Sequence, residues 1–483
     1  MNFAVIKRTI GWLLLFEAIF FLVPVITALC YWEVKELYAF LISMAICLAL
    51  GGLCMIGKAN KMEMFAKEGL VIVALSWIIL SLFGALPFYI SGSIPSYIDA
   101  LFETVSGFTT TGSSIMPTGE SVAALPKCIL MWRSFTHWVG GMGVLVFIMA
   151  FLPLSGGKNM HIMRAESPGP SVGKLVPKVR TTAKILYTIY LGLTIAQLIL
   201  LLAGGMSLFE SLATAFGTAG TGGFAVKADG MAGYSSYLQI VVAVFMLIFS
   251  INFNSYYFLL RRKWKEILTT EVKVFLTIVV TAVTIITLNV YFSDTLTNFW
   301  NALKHSLFSV ATVVSTTGFA TEDFNLWPGL SKTILVLLMF VGACAGSTGG
   351  GMKVSRFLIL GKGASNDMRK MLHPKQVKRL TIDGRVVEQE VVQSVYSYLV
   401  AYLFLFVASV LVISLEGESL VTTFTSVAAT INNIGPGLDA VGPMGTFANF
   451  SWWSKLVFIF DMLAGRLEIF PMLLLFAPAT WRK

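Results

Sequence analysis

Residues 96–112 read SYIDALFETVSGFTTTG, an amphipathic segment that ends in three threonines and a glycine. The segment before the turn, about 96–108, is too short to cross a bilayer, since a spanning helix needs roughly 20 apolar residues. Three further half-length segments occur near 207–218, 298–313 and 418–430. Each of the four runs into a turn of small or polar residues that closes on a glycine: Thr109-Thr110-Thr111-Gly112, Gly220-Thr221-Gly222-Gly223, Ser315-Thr316-Thr317-Gly318 and Asn432-Asn433-Ile434-Gly435.

The four turns predict a pore. Non-helical backbone at membrane depth is tolerated only where protein or a water-filled cavity surrounds it, so the turns are expected to share one axis. Rings of backbone carbonyls replace the water shell of a monovalent cation, and glycine permits the positive φ or close approach that such a ring requires. Small residues also occur where membrane helices pack closely, but packing motifs lie inside long helices and not after half-length segments.

The terminal glycines of the turns are evenly spaced, by 111, 95 and 117 residues. Such spacing indicates duplication of one unit. The predicted unit is helix, re-entrant P-loop, helix, arranged four times around a pseudo-fourfold pore. The predicted boundaries are 1–57 for two additional N-terminal transmembrane helices, 69–153 for repeat 1, 183–260 for repeat 2, 272–360 for repeat 3 and 391–480 for repeat 4.

Composition places the chain among membrane proteins. Of its 483 residues 56% are hydrophobic and 12% are charged, and its mean hydropathy is +0.80, outside the range of soluble domains. We therefore predict an all-α polytopic membrane protein with about ten transmembrane helices. The candidate spans are about 9–32, 38–57, 69–91, 127–153, 183–205, 235–260, 272–292, 331–360, 391–415 and 453–480.

The net charge of +10 is distributed in a way that indicates topology and not a nucleic-acid partner. Lysine and arginine concentrate in alternate connections, among them the stretches 158–184, 261–273 and 362–385, together with Lys58 and Lys61 and the terminal Arg482 and Lys483. Positive-inside counting makes that side cytoplasmic and places both termini there. The stretch 362–385 is either a basic surface flanking membrane lipid or a docking site for a soluble partner.

The five cysteines lack CxxC spacing and the four histidines are dispersed, so neither a disulfide framework nor a metal site built from these side chains is predicted. A membrane enzyme of the transferase type would need a cluster of carboxylates or histidines near one interface, and the sequence has none. We therefore predict that the chain is not an enzyme. A secondary transporter of another monovalent cation or a small solute stays open as the alternative, although repeats of two spans do not give the inverted arrangement typical of that class.

With its four turns, the stretch 342–353 (GACAGSTGGGMK) and the stretch 461–468 (DMLAGRLE), the sequence resembles the Trk/Ktr/HKT superfamily of potassium transporters, specifically the bacterial Trk-type membrane subunit. The resemblance implies potassium uptake across the cytoplasmic (inner) membrane, with no organic cofactor in this chain. The family's filter pattern of one glycine in each turn matches Gly112, Gly223, Gly318 and Gly435, which implies potassium selectivity. Members with serine at the first of these positions are more permeable to sodium, and this chain has glycine there. The K+ ions are expected at a selectivity filter made of Thr110, Thr111, Gly112, Thr221, Gly222, Gly223, Thr316, Thr317, Gly318, Asn432, Asn433, Ile434 and Gly435.

The resemblance also implies partners. It implies a homodimer with one pore in each protomer, and a cytoplasmic ring of nucleotide- and NAD-binding regulatory subunits. The two extra spans before the first repeat fit the Trk-type members better than the smaller Ktr-type ones. Coupling to a proton or sodium ion, as in symport, and flux driven by the membrane potential alone are both compatible with the sequence.

A gate is predicted below the filter. The predicted gate contains Gly346, Ser347, Thr348, Gly349, Gly350 and Gly351. Each glycine destabilises a helix by roughly 1 kcal/mol relative to alanine, so the helix is expected to break there. The resemblance assigns an intramembrane gating loop to this stretch, whereas a close-packing surface is the alternative. Lys353 and Arg356 follow it, and snorkelling anchors are the ordinary interpretation of such residues.

Arg466 lies inside the last apolar segment, where a charge is costly unless water or a partner meets it. We predict that it faces the pore, raises the barrier to cation passage and hydrogen-bonds the carbonyls of the glycine loop. A structural ion pair is the alternative. Asp461 and Glu468 are the nearest candidates, but neither is three or four residues away, so a pair within one helix is disfavoured.

Overall fold

The computed structural model describes residues 2–56, 66–116, 122, 124–143, 179–227, 229–374 and 379–481. Several sequence predictions fall outside these residues and are not tested by the structure. They are the end of the candidate span 127–153, most of the basic stretch 158–184, and the four cations Lys58, Lys61, Arg482 and Lys483.

The regular secondary structure of the described residues is helical apart from one small hairpin. In chain order the helices are α1 (Phe3–Phe20), α2 (Leu22–Tyr31), α3 (Val34–Met55), α4 (Ala66–Gly84), α5 (Leu86–Ser91), α6 (Tyr97–Phe108), α7 (Lys127–Gly141), α8 (Val179–Ala203), α9 (Leu208–Gly220), α10 (Ser236–Phe249), α11 (Phe253–Leu260), α12 (Thr270–Phe292), α13 (Phe299–Val314), α14 (Gly329–Val341), α15 (Val354–Leu372), α16 (Gln389–Ile413), α17 (Leu420–Ile431), α18 (Trp452–Arg466), α19 (Phe470–Phe476) and α20 (Pro478–Trp481). The hairpin consists of β1 (Thr381–Ile382) and β2 (Arg385–Val386), which pair antiparallel.

The long helices have the length and apolar composition of membrane spans. Within the described residues six segments qualify: Phe3–Tyr31, Val34–Met55, Lys67–Ser91, Thr181–Ala203, Thr270–Phe292 and Gln389–Glu416. Helix α16 is an example of a segment with one face packed against protein and one face exposed. Tyr398, Tyr402 and Phe406 lie inward at helical spacing, whereas Val400 and Phe404 are 69% and 78% exposed. The fold is therefore that of an all-α polytopic membrane protein.

Three of the predicted spans are interrupted. The span predicted at 235–260 is bent, because α10 and α11 meet at an angle of 92° and Asn252 starts α11 by accepting from Asn254 N at 2.9 Å. The span predicted at 453–480 is also interrupted, because α18 ends at Arg466 and both Glu468 and Ile469 have positive φ. The break predicted in 331–360 is present and is longer than expected, since helix ends at Val341 and resumes at Val354.

The half-length segments form the helices α6, α9, α13 and α17, and each runs directly into its turn. A polar side chain starts each of them: Ser96, Ser207, Asn298 and Ser419 accept hydrogen bonds from backbone N–H groups in the first turn of the helix. Such caps satisfy donors that a helix leaves unpaired at its beginning. These helices are re-entrant, and the division of the chain into four repeats at the boundaries stated above stays a prediction.

The N-terminal helices pack on the first re-entrant unit. Trp132 of α7 is fully buried, lies 4.8 Å from the ring of Phe21 and 5.9 Å from that of Phe108, and donates from Nε1 to Gly84 O at 3.0 Å. Phe108 is the last residue of α6. The apolar core therefore continues from the N-terminal helices to the base of the first turn.

Candidate ion filter and gate

The four turns share one backbone conformation. In each turn a non-glycine residue and the glycine two positions later both have positive φ. The non-glycine residues are Thr110, Thr221, Thr316 and Asn433, with φ of 56, 55, 59 and 55°. The glycines are Gly112, Gly223, Gly318 and Gly435, with φ of 83, 76, 91 and 100°. Left-handed backbone is unfavourable for threonine because it is β-branched, and such strain concentrates at functional sites. Its recurrence at equivalent places indicates a shared requirement.

Hydrogen bonds repeat in the same way. In every turn the N–H of the residue before the glycine donates to the carbonyl five residues earlier, at the end of the re-entrant helix. The four bonds are Thr111 N to Ser106 O at 2.9 Å, Gly222 N to Gly217 O at 2.8 Å, Thr317 N to Thr312 O at 2.8 Å and Ile434 N to Ala429 O at 2.9 Å. Each re-entrant helix therefore positions its own turn by the same contact.

The turns form a closed ring. A β-carbon placed on Gly112 would lie 2.0 Å from Gly222 O, and one on Gly223 would lie 2.0 Å from Thr317 O. One on Gly318 would lie 2.5 Å from Ile434 O, and one on Gly435 would lie 2.9 Å from Thr111 O. Each turn thus contacts the next, and the fourth contacts the first. Glycine is required at these positions because a carbonyl of the neighbouring turn occupies the space of a side chain.

All four terminal glycines line one cavity of about 120 Å³, together with Ser113, Pro436 and Arg133. Asp439 lies close by along the chain, two residues before Val441 of the cavity wall. Ser419 and Thr422 donate hydrogen bonds to the Asp439 carboxylate, and these bonds hold the pKa of Asp439 below its ordinary value. The Asp439 carboxylate is therefore held at the beginning of α17.

The asparagines of the fourth turn connect the ring, although they break the hydroxyl pattern of the other turns. Asn433 Nδ2 donates to Thr111 Oγ1 in the first turn and to Met462 O in α18, both at 2.9 Å. Asn432 Nδ2 donates to Tyr402 Oη at 2.9 Å and to Ala428 O at 2.9 Å. The amide groups therefore tie the last turn to the first turn and to two surrounding helices.

Turn hydroxyls are largely engaged with protein. Thr109 Oγ1 and Thr111 Oγ1 are 2.8 Å apart, and Ser315 Oγ and Thr317 Oγ1 are 2.6 Å apart. Thr221 Oγ1 donates to Gly220 O at 2.6 Å. The backbone carbonyls are therefore better candidates for ion ligands than these hydroxyls. Among the described residues no group of three or more His, Cys, Asp or Glu side chains forms a metal site.

Two buried features that the sequence did not single out, a histidine and an ion pair, support the first two turns. His137 Nδ1 lies 2.8 Å from Gly107 O, and Phe224 N donates to His137 Nε2 at 3.3 Å. A β-carbon on Gly222 would lie 2.2 Å from the His137 ring. The imidazole therefore fills the place of a side chain between turns 1 and 2. A polar histidine within a long apolar segment was the only sign of this role in the sequence. The sequence did not identify its partners, which are 30 and 87 residues away.

The second is a buried ion pair behind the first turn. Arg133 Nη2 lies 2.6 Å from Glu103 Oε1, and both side chains are almost fully buried. Glu103 also accepts from Ile115 N at 3.0 Å and from Ser114 Oγ at 3.0 Å. The pair holds the chain that leaves the turn. A buried ion pair of this kind leaves a costly unpaired charge when one partner is removed.

The stretch predicted as a gate is a loop of residues 342–353 directly beside the ring. Gly350 N donates to Thr316 Oγ1 at 2.5 Å, and Gly351 N donates to Asn432 O at 3.0 Å. These partners belong to the helix ends of the third and fourth turns, whereas the cavity is lined by the terminal glycines. The loop therefore contacts the ring away from that cavity.

Arg466 connects the loop to α7. Its guanidinium donates to Thr348 O at 2.9 Å, and to Gly140 O and Gly141 O at 2.5 and 2.7 Å. The hydrogen bond to a carbonyl of the glycine loop, expected from the sequence, is present. The carboxylates considered as alternative partners have other contacts: Asp461 accepts from Ser409 Oγ at 2.8 Å, and Glu468 pairs with Arg356.

Two further cations lie next to the loop. Lys353 is 1% exposed and donates from Nζ to Gly349 O. Arg356 is 6% exposed, and its guanidinium lies 3.8 Å from the centre of the Tyr398 ring. The snorkelling interpretation is wrong for both, because their charged ends are buried against protein. All the residues predicted for filter and gate therefore lie in one connected region.

Comparison with known proteins agrees with this geometry. The sequence matches the family described as TrkH, Cation transport protein, over residues 36–483. It is 35% identical over 493 residues to the Trk system potassium uptake protein TrkH of Salmonella typhimurium, covering 100% of both chains. It is 32% identical to the Trk system potassium uptake protein TrkG of Escherichia coli, covering 99% of this chain and 98% of the relative.

A solved structure shows that the fold is similar as well as the sequence. The crystal structure of the potassium transporter TrkH from Vibrio parahaemolyticus matches with a TM-score of 0.89 and 33% sequence identity, covering 100% of both chains. The family resemblance found in the sequence motifs is confirmed. The chain therefore belongs to the TrkH family of cation transport proteins and is a Trk-type membrane subunit.

Proposed function

We propose that this chain takes up potassium across the cytoplasmic membrane through a selective, gated pore. The observation that carries the proposal is the closed ring of four turns, each with the same pair of positive φ values and each in contact with the next. Rings of carbonyls in such turns replace the hydration shell of a permeating ion. Relatives of this chain over its whole length are named potassium uptake proteins.

Potassium, as the transported substrate, is held at the filter formed by the thirteen residues given above, chiefly by backbone carbonyls. The hydroxyl pairs within the first and third turns support this assignment, because those hydroxyl groups bond to each other. Small shifts of one turn change the ring as a whole, because each glycine contacts a carbonyl of its neighbour. Selectivity therefore depends on the packing that holds the four turns together.

The loop of residues 342–353 acts as the gate, together with Lys353 and Arg466. The contacts of Gly350 with Thr316 and of Gly351 with Asn432 support this role, because they place the loop against the filter turns. Arg466 and Lys353 bring positive charge to the same place, and a fixed positive charge opposes cations in a low-dielectric pathway. In this scheme the gate is closed when the loop contacts the filter turns.

The chain acts as a homodimer in the bacterial inner membrane, with both termini in the cytoplasm. A cytoplasmic ring of nucleotide- and NAD-binding subunits regulates it. The basic end of α15, which includes exposed Arg369 and Lys370, supports a cytoplasmic docking surface in the stretch 362–385. The four repeats and two additional N-terminal helices have the boundaries predicted from the sequence, and no organic cofactor is bound by this chain.

Flux into proteoliposomes that contain only this chain tests the proposal. We expect potassium uptake that sodium does not match, and faster basal uptake in Arg466→Ala, because that variant loses the charge and its bonds to Thr348, Gly140 and Gly141. Folding of both proteins is checked by size-exclusion chromatography. Equal potassium and sodium flux, or no flux from a folded Arg466→Ala protein, contradicts the proposal.

A further inference from the structure

One carboxylate ties together the two ends of the intramembrane loop. Glu271 Oε1, in the first turn of α12, accepts hydrogen bonds from Ala345 N at 2.7 Å and from Ser355 N at 3.2 Å. Ala345 directly precedes the glycine segment 346–351, and Ser355 is the second residue of α15 after the loop. Glu271 thus reaches the chain on both sides of the segment assigned to the gate.

These two bonds differ in kind from the other bonds that fix the start of the loop. Cys344 N donates to the neutral carbonyl of Ser250 at 3.1 Å, and Thr348 N donates to Phe249 O at 3.4 Å. Hydrogen bonds to an ionised acceptor are roughly twice as strong as neutral ones. A segment rich in glycine has little conformational preference of its own. The position of the loop therefore depends strongly on where Glu271 stands.

The position of Glu271 is set in turn by the small hairpin. Asp383, in the turn between β1 and β2, accepts at Oδ1 from Thr270 N at 2.8 Å and from Thr270 Oγ1 at 2.6 Å. Thr270 is the residue next to Glu271. Asp383 therefore holds the first residue of α12 from outside the helix, in the manner of a capping carboxylate.

The hairpin belongs to the same body as the helices that follow the loop. Lys362 Nζ in α15 donates to Thr381 O at 2.9 Å. A small apolar cluster of Ile359, Leu380, Val392 and Val395 joins α15, the hairpin segment and the start of α16. Any displacement of the hairpin is thereby transmitted both to α15 and, through Asp383, to the beginning of α12.

We propose that Glu271 is a positioning residue that holds the intramembrane loop closed, and that the Asp383 turn of the hairpin sets the place of Glu271. The proposal rests on the proposed function, in which this loop is the gate. A cytoplasmic protein partner that binds and displaces the hairpin then opens the gate by drawing Glu271 away from Ala345 and Ser355. The Asp383 turn of the hairpin lies in the stretch 362–385, on the side that positive-inside counting places in the cytoplasm.

The test uses two pairs of variants and one matched control. Glu271→Gln keeps an acceptor oxygen and loses the charge, whereas Glu271→Ala loses both. Asp383→Asn keeps the Oδ1 acceptor for Thr270, whereas Asp383→Ala removes it. Glu266→Ala is the control, since Glu266 lies on the same connection, is exposed and pairs only across the surface with Lys263 at 3.3 Å.

Two readouts are measured on the full chain in proteoliposomes. One is basal potassium flux. The other is the rate at which a water-soluble maleimide labels Cys344, which is fully buried beside Ala345 in the closed loop, in a protein whose other cysteines are replaced by serine: Cys30, Cys47, Cys54 and Cys128. Labelling reports release of the loop whatever ion the pore conducts. Size-exclusion chromatography verifies that each variant is folded.

We expect Glu271→Ala to raise both rates by at least about tenfold, because it removes two charge-assisted hydrogen bonds and the loss of one alone corresponds to about that factor. Both rates in Glu271→Gln should lie between those of Glu271→Ala and those of the wild type. Asp383→Ala raises both rates severalfold, while Asp383→Asn and Glu266→Ala stay near the wild type. Rescue by the amide at position 383 separates a positioning role from a general loss of stability.

The outcomes distinguish this inference from the proposed function. Cys344 labelling in folded Glu271→Ala and Asp383→Ala that is no faster than in Glu266→Ala overturns the role of Glu271 and leaves the pore assignment intact. Faster labelling without a change in potassium flux supports the hold of Glu271 on the loop and refutes the loop as gate. Equal acceleration by Asp383→Asn and Asp383→Ala overturns the part assigned to the hairpin.

Discussion

Replacing Gly112 by alanine tests whether contact between neighbouring turns sets ion selectivity. The added β-carbon would lie 2.0 Å from Gly222 O, whereas real β-carbons essentially never approach a heavy atom within 3.0 Å. Turn 1 and turn 2 must therefore separate by about 1 Å, the difference between these two distances. Because the turns form a closed ring, that displacement moves carbonyls that we assign as potassium ligands.

Two costs are combined in this variant and can be separated. Alanine at the φ of +83° of Gly112 is strained, by roughly 1–2 kcal/mol for left-handed backbone. Displacing a carbonyl ligand costs in addition about 1–3 kcal/mol, the penalty of leaving such a polar group unsatisfied. If that second cost falls on potassium and not on sodium, the preference for potassium decreases by about fivefold to about a hundredfold, since 1.4 kcal/mol is a factor of ten.

Gly417→Ala is the matched control. Gly417 has a φ of +80°, and no heavy atom lies within 4 Å of its β-carbon position. It therefore carries the backbone strain without the contact. The assay is the ratio of potassium to sodium flux in proteoliposomes under opposed gradients of the two ions. We expect the ratio to fall in Gly112→Ala, to fall less in Gly435→Ala, where the contact with Thr111 O is 2.9 Å, and to stay unchanged in Gly417→Ala.

An unchanged flux ratio in a folded Gly112→Ala protein would show that contact between turns 1 and 2 does not set selectivity. A fall of the same size in Gly417→Ala would show the same, because backbone strain alone would then explain the loss. A larger effect at Gly435 than at Gly112 would contradict the order of the distances.

Three further predictions concern the supports of the ring. Asn433→Asp keeps a residue that tolerates left-handed backbone but loses the two donated hydrogen bonds, so we expect the free energy of unfolding in detergent to fall by about 1–3 kcal/mol and the flux ratio to fall with it; no change in either argues against the cross-link. Glu103→Gln leaves the Arg133 charge buried, and we expect unfolding titrations to reveal a loss of about 3–5 kcal/mol, against less than about 1 kcal/mol for Glu210→Gln, whose partner is half-exposed. The stabilisation from the Asp439 carboxylate, whose pKa is lowered by folding, is complete at neutral pH and is lost as pH falls below about 4 through the folded pKa; an Asp439→Asn protein whose unfolding temperature falls as steeply with acid as that of the wild type contradicts this.

Much of the fold could be predicted from the hydrophobic pattern and from residues that are close together in the chain. The half-length helices, the glycine-ended turns and the break before Val354 depend on residues close together in the chain, such as the caps Ser96 and Asn298. Hydrophobic length predicts spans because a bilayer requires about 20 apolar residues. The same length rule did not reveal the bend within 235–260 or the break within 453–480, because a sharp bend at Asn252 or a left-handed residue such as Ile469 interrupts too few apolar residues to alter the pattern.

The sequence by itself therefore determined the class of protein, the number of pore turns and the residues in them, since each of these properties is local. Only the tertiary structure decided the order of the ring, in which the turn of Gly435 closes on that of Thr111, and the connections of Asn433 and Glu271. These partners are 322 and 74 residues apart. Local propensity contains no information about such distances, because the contacts exist only once the helices have packed.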